Sequence, residues 1–340
     1  MVSNPDLPDI GWTELKQILN RYQQPNTWRS VWQLANTLLP NLLLLVLMYF
    51  SLQVSYWLTL ALSIPTAGFM ARTFIIFHDC GHGSFFKSRQ ANAVTGIICG
   101  ILTLTPYYYW RHSHAIHHAT AGDLDRRGTG DVMTLTLQEY QSLSRPRQWF
   151  YRFVRHPLVM FTFGAFLVFT VGHRFYKPGT GKQERWSVHY TNLILAAILV
   201  GVIYLIGWKA YLMIHIPVLF FMCSAGVWLF YVQHNFEGTY WERNEKWDFF
   251  KAGFQGSSFY KLPVVLQWFT GNIGFHHIHH LNSRIPNYWL PKCYRENPVF
   301  HVRPLTLLSS LRSARLRFWD EQNRRMVGFE ALKGELSVER

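Results

Sequence analysis

Four apolar stretches, Leu38–Phe50, Val54–Phe77, Leu193–Ile206 and Tyr211–Val232, decide the solvent in which this chain can fold. With flanking residues, each approaches the ~20 residues that an α-helix needs to cross a bilayer. They come as two pairs, one around the near-polar turn Ser51–Gln53 and one around Gly207–Ala210. Only 15% of the chain is charged, against ~25% in soluble domains. The expected fold is an all-α integral membrane protein, a single domain over 1–340 with four transmembrane helices in two hairpins. These helices are expected at about 34–52, 54–77, 190–207 and 210–232. Met1–Arg29 is polar and lacks the apolar core and cleavage site of a signal peptide, so the first helix is expected to act as its own insertion signal.

Charge orients the hairpins. Of the 33 Lys and Arg residues, 31 fall in Met1–Thr37, His78–Tyr190 and Gln233–Arg340; Lys209 lies in an outer turn and Arg72 inside the second helix. Positive residues stay on the cytoplasmic side. The segments 78–189 and 233–340 are therefore expected to form a cytosolic helical cap. The net charge of +14 then fits a face beside anionic headgroups, or one that docks an acidic electron carrier, and needs no nucleic acid. Cys80, Cys99, Cys223 and Cys293 have no CxxC spacing and are expected to be free thiols.

Other segments are expected at the interface. Residues 11–34 have the spacing of one amphipathic helix, lying in the membrane surface or packed on the protein. Val94–Tyr109 and Leu158–Gly172 fall short of a span and are assigned as interfacial or re-entrant, because a crossing by either would separate the histidine-rich windows described next. Leu305–Phe329 reads as a basic amphipathic helix.

Ten of the sixteen histidines fall in Ala71–His82, Trp110–His118 and Gly271–His280. His114, His117 and His118 have i, i+3, i+4 spacing, which puts three imidazoles on one helix face; His276, His279 and His280 repeat it. His78 and His82 are the i, i+4 version, and His234 follows the fourth apolar run as His78 follows the second. Nine imidazoles are too many for one tetrahedral zinc and suit two ions of higher coordination, for which iron is the natural candidate. Asp79, Asp123, Asp125, Asp131 and Glu237 are available to orient rings, and His112 and His277, off the repeated spacing, are expected in supporting roles. Tyr107, Tyr108, Tyr109, Trp110, Trp228, Tyr231 and Trp268 could line an apolar tunnel.

The strings HDCGH, HAIHH and HHIHH resemble the three histidine boxes of membrane fatty acid desaturases, in order and over about Leu38–Arg325. RGTGDVMTLTLQEY, GVWLFYVQHNFEGTYW and GSSFYKLPVVLQWFTGNIG resemble in particular bacterial acyl-lipid desaturases of the delta-5 and delta-12 type. That resemblance implies a diiron centre, molecular oxygen as co-substrate, ferredoxin or flavodoxin as electron donor, and a cis double bond placed in the acyl chains of membrane lipids. It carries the ligands onto His78, His82, His114, His117, His118, His234, His276, His279 and His280. Where animal-type relatives add an asparagine one turn before the residue matching His234, this chain has Phe230; Asn272 is the substitute considered for a tenth ligand. No HPGG haem motif of a fused cytochrome b5-like domain is present, so the donor is expected to be separate.

Three other readings compete. A diiron hydroxylase or ketolase of carotenoids, sterols or alkanes shares histidine boxes. A metal transporter would place its ligands near mid-bilayer in repeated halves, whereas these histidines sit at helix ends in a chain without a repeat. A membrane zinc hydrolase would need an HExxH pairing, which is missing.

Overall fold

A computed structural model describes residues 10–332; residues 1–9 of the polar N-terminus and residues 333–340 lie outside it. The chain opens with α1 (Trp12–Asn20), whose Leu15 and Leu19 are buried against Phe254, Ile278, Leu281 and Phe300. Residues 11–34 are thus not one helix. Pro25 disfavours helix at the residue before it, and Asn26 restarts the helix by accepting from the Arg29 N–H at 3.0 Å. The first part docks beneath the third histidine window, and the second runs into α2 (Thr27–Ser51).

After a short turn follows α3 (Tyr56–His82), which packs against α2. Gly83 ends α3 in the left-handed region (φ 69°), a conformation that carries a Cβ penalty for other residues, so the helix stops one residue past His82. Next come α4 (Arg89–Leu102) and α5 (Tyr107–Thr120), separated by a turn with Leu104 at φ 57°. Val94–Tyr109 is therefore broken and does not form a spanning helix.

Short elements follow: β1 (Leu135–Thr136), α6 (Leu137–Ser142) and α7 (Arg145–Val154). A π-helical turn at Val159–Gly164 continues into α8 (Ala165–Thr170). The segment Val159–Arg174 is bent 68° from α7, the shape of a broken span or a re-entrant loop. Then come α9 (Lys182–Ile206) and α10 (Trp208–His234), joined at Gly207. Among the described residues, α2, α3, α9 and α10 are the four helices long and apolar enough to cross a membrane. α3 is the most enclosed of them, with Ala67 and Met70 packed among Met48, Ile214, Val218, Met222 and Cys223, while α9 leaves Val200, Tyr204 and Leu205 bare.

The C-terminal third holds α11 (Phe249–Gln255), β2 (Tyr260–Lys261), α12 (Val264–Phe269), α13 (His276–Leu281), α14 (Leu290–Glu296), β3 (Leu305–Thr306), α15 (Leu307–Ser313), β4 (Phe318–Asp320) and β5 (Arg325–Val327). β1, β4 and β5 form one sheet, and β2 pairs with β3 in parallel. The protein is mostly helical, not all-α. The tail Leu305–Phe329 is likewise a seven-residue helix followed by a β-hairpin, in which Trp319 is buried with Leu124, Trp241, Leu316 and Met326 instead of lying on a basic helix. The cysteines are all free and all buried.

Candidate metal centre

Each histidine window sits on a helix end or a short helix aimed at one point. His78 and His82 occupy the last turns of α3, and His234 is the last residue of α10. His114, His117 and His118 share a face of α5. The third window needs a sharper device. Gly271 (φ 51°) and Asn272 (φ 59°) turn the chain, and a Cβ on Gly271 would lie 2.7 Å from Cγ2 of Ile75, so the backbone runs directly along α3 before α13 begins.

The nine rings meet. His78, His82, His114, His118 and His279 form one group and His117, His234 and His280 a second, with the potential ligand atoms of each group within 4.8 Å of one another. His276 joins the second group, its Nε2 3.0 Å from that of His234. Other Nε2–Nε2 separations are 3.3 Å for His78–His82, 3.1 Å for His114–His118, 3.1 Å for His117–His234 and 3.2 Å for His118–His279. The groups adjoin, since the rings of His118 and His280 stack at 4.1 Å.

Inward nitrogens are fixed by outward ones. Nδ1 of His78 lies 3.1 Å from Asp79 Oδ1, Nδ1 of His117 is 2.5 Å from Asp131 Oδ1, and Nδ1 of His234 is 3.2 Å from the Gly256 carbonyl. A ring that donates Nδ1–H to an oxygen presents the Nε2 lone pair to the centre. Asp79 is itself held by the backbone N–H and the side-chain amide of Asn287, at 2.7 and 2.8 Å. Asn287 has no spacing that marks it in the sequence.

The donor set fits a pair of cations. Imidazole nitrogens about 2 Å from an ion and at right angles to one another lie about 3 Å apart, close to the separations seen here. Nε2 of His280 is buried without a hydrogen-bond partner, a costly arrangement unless that nitrogen has another partner. Burial first, and neighbouring imidazoles second, hold His114, His118, His276, His279 and His280 well below the usual histidine range. Neutral rings keep the lone pairs that a metal needs.

The supporting residues divide. Of the five carboxylates considered, Asp79 and Asp131 reach rings, whereas Asp123 caps its own loop and binds Arg126, Asp125 binds Arg243 and the Asn244 N–H, and Glu237 is exposed. His277 is buried but turns Nε2 outward to the Phe300 carbonyl at 3.0 Å, and His112 is exposed on the far side of α5. Of the aromatic residues, Trp110 meets the rings, stacked on His114 at 4.3 Å. Tyr107 and Tyr231 instead donate to the carbonyls of Cys80 and Leu316, and Trp228 to the Tyr260 hydroxyl. Phe230 fills the place one turn before His234, its ring 5.1 Å from His117 and 5.4 Å from His234. Asn272 bonds Gln267 and the Asn287 carbonyl, away from the centre.

Four membrane-length helices and a buried cluster of imidazoles able to hold metal define a class of membrane protein with a histidine-lined metal centre. Residues 55–305 match the family model described as Fatty acid desaturase. The chain is 47% identical over 321 residues to a fatty acid desaturase of Bacillus subtilis, covering 94% of this chain and 91% of the relative. It is 28% identical over 234 residues to the sn-1 acyl-lipid omega-3 desaturase (ferredoxin) of Synechocystis sp., covering 64% of this chain and 61% of that one. It is 27% identical over 268 residues to the endoplasmic-reticulum acyl-lipid omega-3 desaturase (cytochrome b5) of Arabidopsis thaliana, covering 70% and 66%. The chain belongs to the fatty acid desaturase family and is a desaturase-type oxidoreductase.

Proposed function

We propose that this protein is an oxygen-dependent acyl-lipid desaturase that places a cis double bond in fatty acyl chains of membrane lipids at a pair of irons. The observation that carries the reading is the convergence of nine imidazoles, from the ends of α3 and α10 and from α5 and α13, as two adjoining groups. His78, His82, His114, His118 and His279 would hold one ion, and His117, His234, His276 and His280 the other. Bound iron would supply the one-electron chemistry that joins oxygen reduction to hydrogen removal from an unactivated methylene. In balance, two adjacent methylenes lose two hydrogens, and these leave with one dioxygen, two electrons and two protons as two waters.

The chain's own residues prepare that chemistry. Asp79, Asp131 and the Gly256 carbonyl hold three rings in one tautomer. Trp110 and Phe230 cover the rings of His114, His117 and His234 with apolar surface that keeps water off them. With α2–α3 and α9–α10 as two hairpins and the remaining segments as one cytosolic cap, the positive-inside distribution puts the centre on the cytoplasmic side of a bacterial membrane. A lipid chain then reaches it from the bilayer, along α3 and α10.

Electrons need a separate donor. The named relatives differ here, one carrying ferredoxin and another cytochrome b5 in its name. Of the nine rings, His82 and His118 are the half-buried ones, and they belong to segments in which residues 80–122 contain no Asp or Glu but include exposed Lys87, Arg89 and Arg111. A stretch of exposed cations without a carboxylate favours an acidic donor such as ferredoxin or flavodoxin. Expression in a bacterial host without polyunsaturated lipids tests the whole reading. New cis alkenes located by mass spectrometry in intact lipids are expected; hydroxylated or keto lipids in their place would replace it with a hydroxylase or ketolase.

A further inference from the structure

The short helix α12 sits deep against a long one. Its Phe269 ring fills the space beside Gly68 of α3, where an added Cβ would be 2.9 Å from Phe269 Cδ1. Phe69 meets Trp268 and Phe269 with ring centroids 5.7 and 5.1 Å apart. The buried Arg72 closes the contact by donating to the Trp268 carbonyl and lying 3.9 Å over its ring, while its Nε donates to Thr37 Oγ1 at 3.1 Å. Gly68 precedes His78 by ten residues. At 1.5 Å per residue the contact is about 15 Å along α3 from the histidine end, well within the ~30 Å of a bilayer's hydrocarbon core.

The first turn of α12 is aliphatic and bare: Val264 is 84% and Val265 65% exposed. α15 begins beside it: β2 and β3 pair in parallel, Tyr260 opposite Leu305 and Lys261 opposite Thr306, so both short helices start within three residues of one ladder. On α15, Leu308 is 81% and Leu311 60% exposed. Scattered exposed Leu or Val side chains are ordinary, but a set shared by two neighbouring helices marks a contact surface. Exposed cations flank it. Lys261 and Arg303 precede the helices, Arg312 and Arg315 lie at and beyond the end of α15, and residues 297–319 contain no Asp or Glu.

We propose that α12 and α15 form a wedge inserted into the cytoplasmic leaflet beside α3. Val264, Val265, Leu308 and Leu311 lie among acyl chains, and Lys261, Arg303, Arg312 and Arg315 lie at the phosphates of anionic phospholipids. The depth of α12 against a spanning helix, together with the unbalanced positive charge at its base, selects a lipid leaflet as the occupant. This inference rests on the reading of α3 as a spanning helix with its histidine end in the cytoplasm. The wedge would place leaflet lipids beside the one helix that leads to His78.

Spin labels on the full chain in vesicles of phosphatidylcholine and phosphatidylglycerol test it by power saturation with dissolved oxygen and a water-soluble nickel chelate. Labels go on Val264→Cys and Leu308→Cys, with Val200→Cys on the bare face of α9 as the span control and Gln322→Cys in the β4–β5 turn as the aqueous control; the native cysteines are all buried. The expected result is that positions 264 and 308 match 200, open to oxygen and several-fold less open to nickel than 322. Nickel access at 264 and 308 equal to that at 322, with 200 still shielded, would overturn the wedge and leave the spans intact. Nickel access at 200 as well would overturn the spanning assignment and the wedge with it. Shielding at 308 from both reagents, with dipolar broadening between labels, would assign the surface to a second copy of the chain and overturn the lipid contact.

Discussion

Asp131 accepts from the same ring that turns its other nitrogen toward His234, so the carboxylate decides which face of His117 is basic. Partners of this kind change metal affinity or activity by roughly 10–100-fold when replaced. Asp131→Asn is expected to lose activity and metal affinity within that range while the chain stays folded; metal titration beside turnover checks it. His117→Ala and His279→Ala each remove an inward nitrogen and are expected to abolish desaturation in a protein that still inserts in membranes. Retained turnover in either variant takes that ring out of the ligand set. The depressed rings also set a pH dependence. His114, His118, His276, His279 and His280 stay neutral in the folded chain far below the ordinary value of 6.5 at which they protonate once unfolded. Below that value the unfolded chain binds more protons, so the folded, metal-free protein is most stable above it and weakens as pH falls. Its melting temperature in detergent is expected to change little from about pH 7.5 to 9 and to fall from about pH 7 to 5. A rise on acidification would contradict the buried, neutral state of the rings.

At the scale of elements, α13 depends on how the chain reaches it. Gly271→Ala would force a Cβ into a left-handed residue and within 2.7 Å of Ile75. The expected cost is about 1–3 kcal/mol, more than for Gly179→Ala, where φ is also positive but the space is open; thermal unfolding of the two variants measures the difference. The long helices were legible because apolar runs and a 3.6-residue spacing are properties of the sequence itself, and the convergence of His78, His114 and His279 was expected because three windows share one ligand spacing. Pairings of two or three residues carry no period, so β1, β2 and β3 left no trace, and the Phe318–Val327 hairpin looked like part of a basic helix. Asn26 reads as an ordinary polar residue until its cap is seen to separate α1 from α2. Asp79 and Asp131 could be named as candidates, yet nothing in the spacing distinguished them from Asp123 and Asp125, whose partners come from Arg126 and Arg243. Asn287 could not be named at all, because it acts on a ring only through Asp79.

Across the whole molecule, charge and apolar surface divide the work. On the proposed reading, the long helices and the wedge would face lipid, the exposed cations Lys87, Arg89 and Arg111 would face the cytoplasm, and the imidazoles would lie where the two meet. If an acidic donor docks on those cations, turnover supported by reduced ferredoxin is expected to fall several-fold as ionic strength rises from about 0.01 to 0.5 M, because the Debye length shrinks from about 30 Å to a few ångströms. Turnover that ignores salt would remove those residues as the docking face. The central claim, that nine imidazoles gather two oxygen-activating irons, meets its most direct test in the metal content of anaerobically purified protein. The account predicts two irons per chain, lost in proportion when His117 or His279 is replaced by Ala; bound zinc, or a single ion untouched by either substitution, would contradict it.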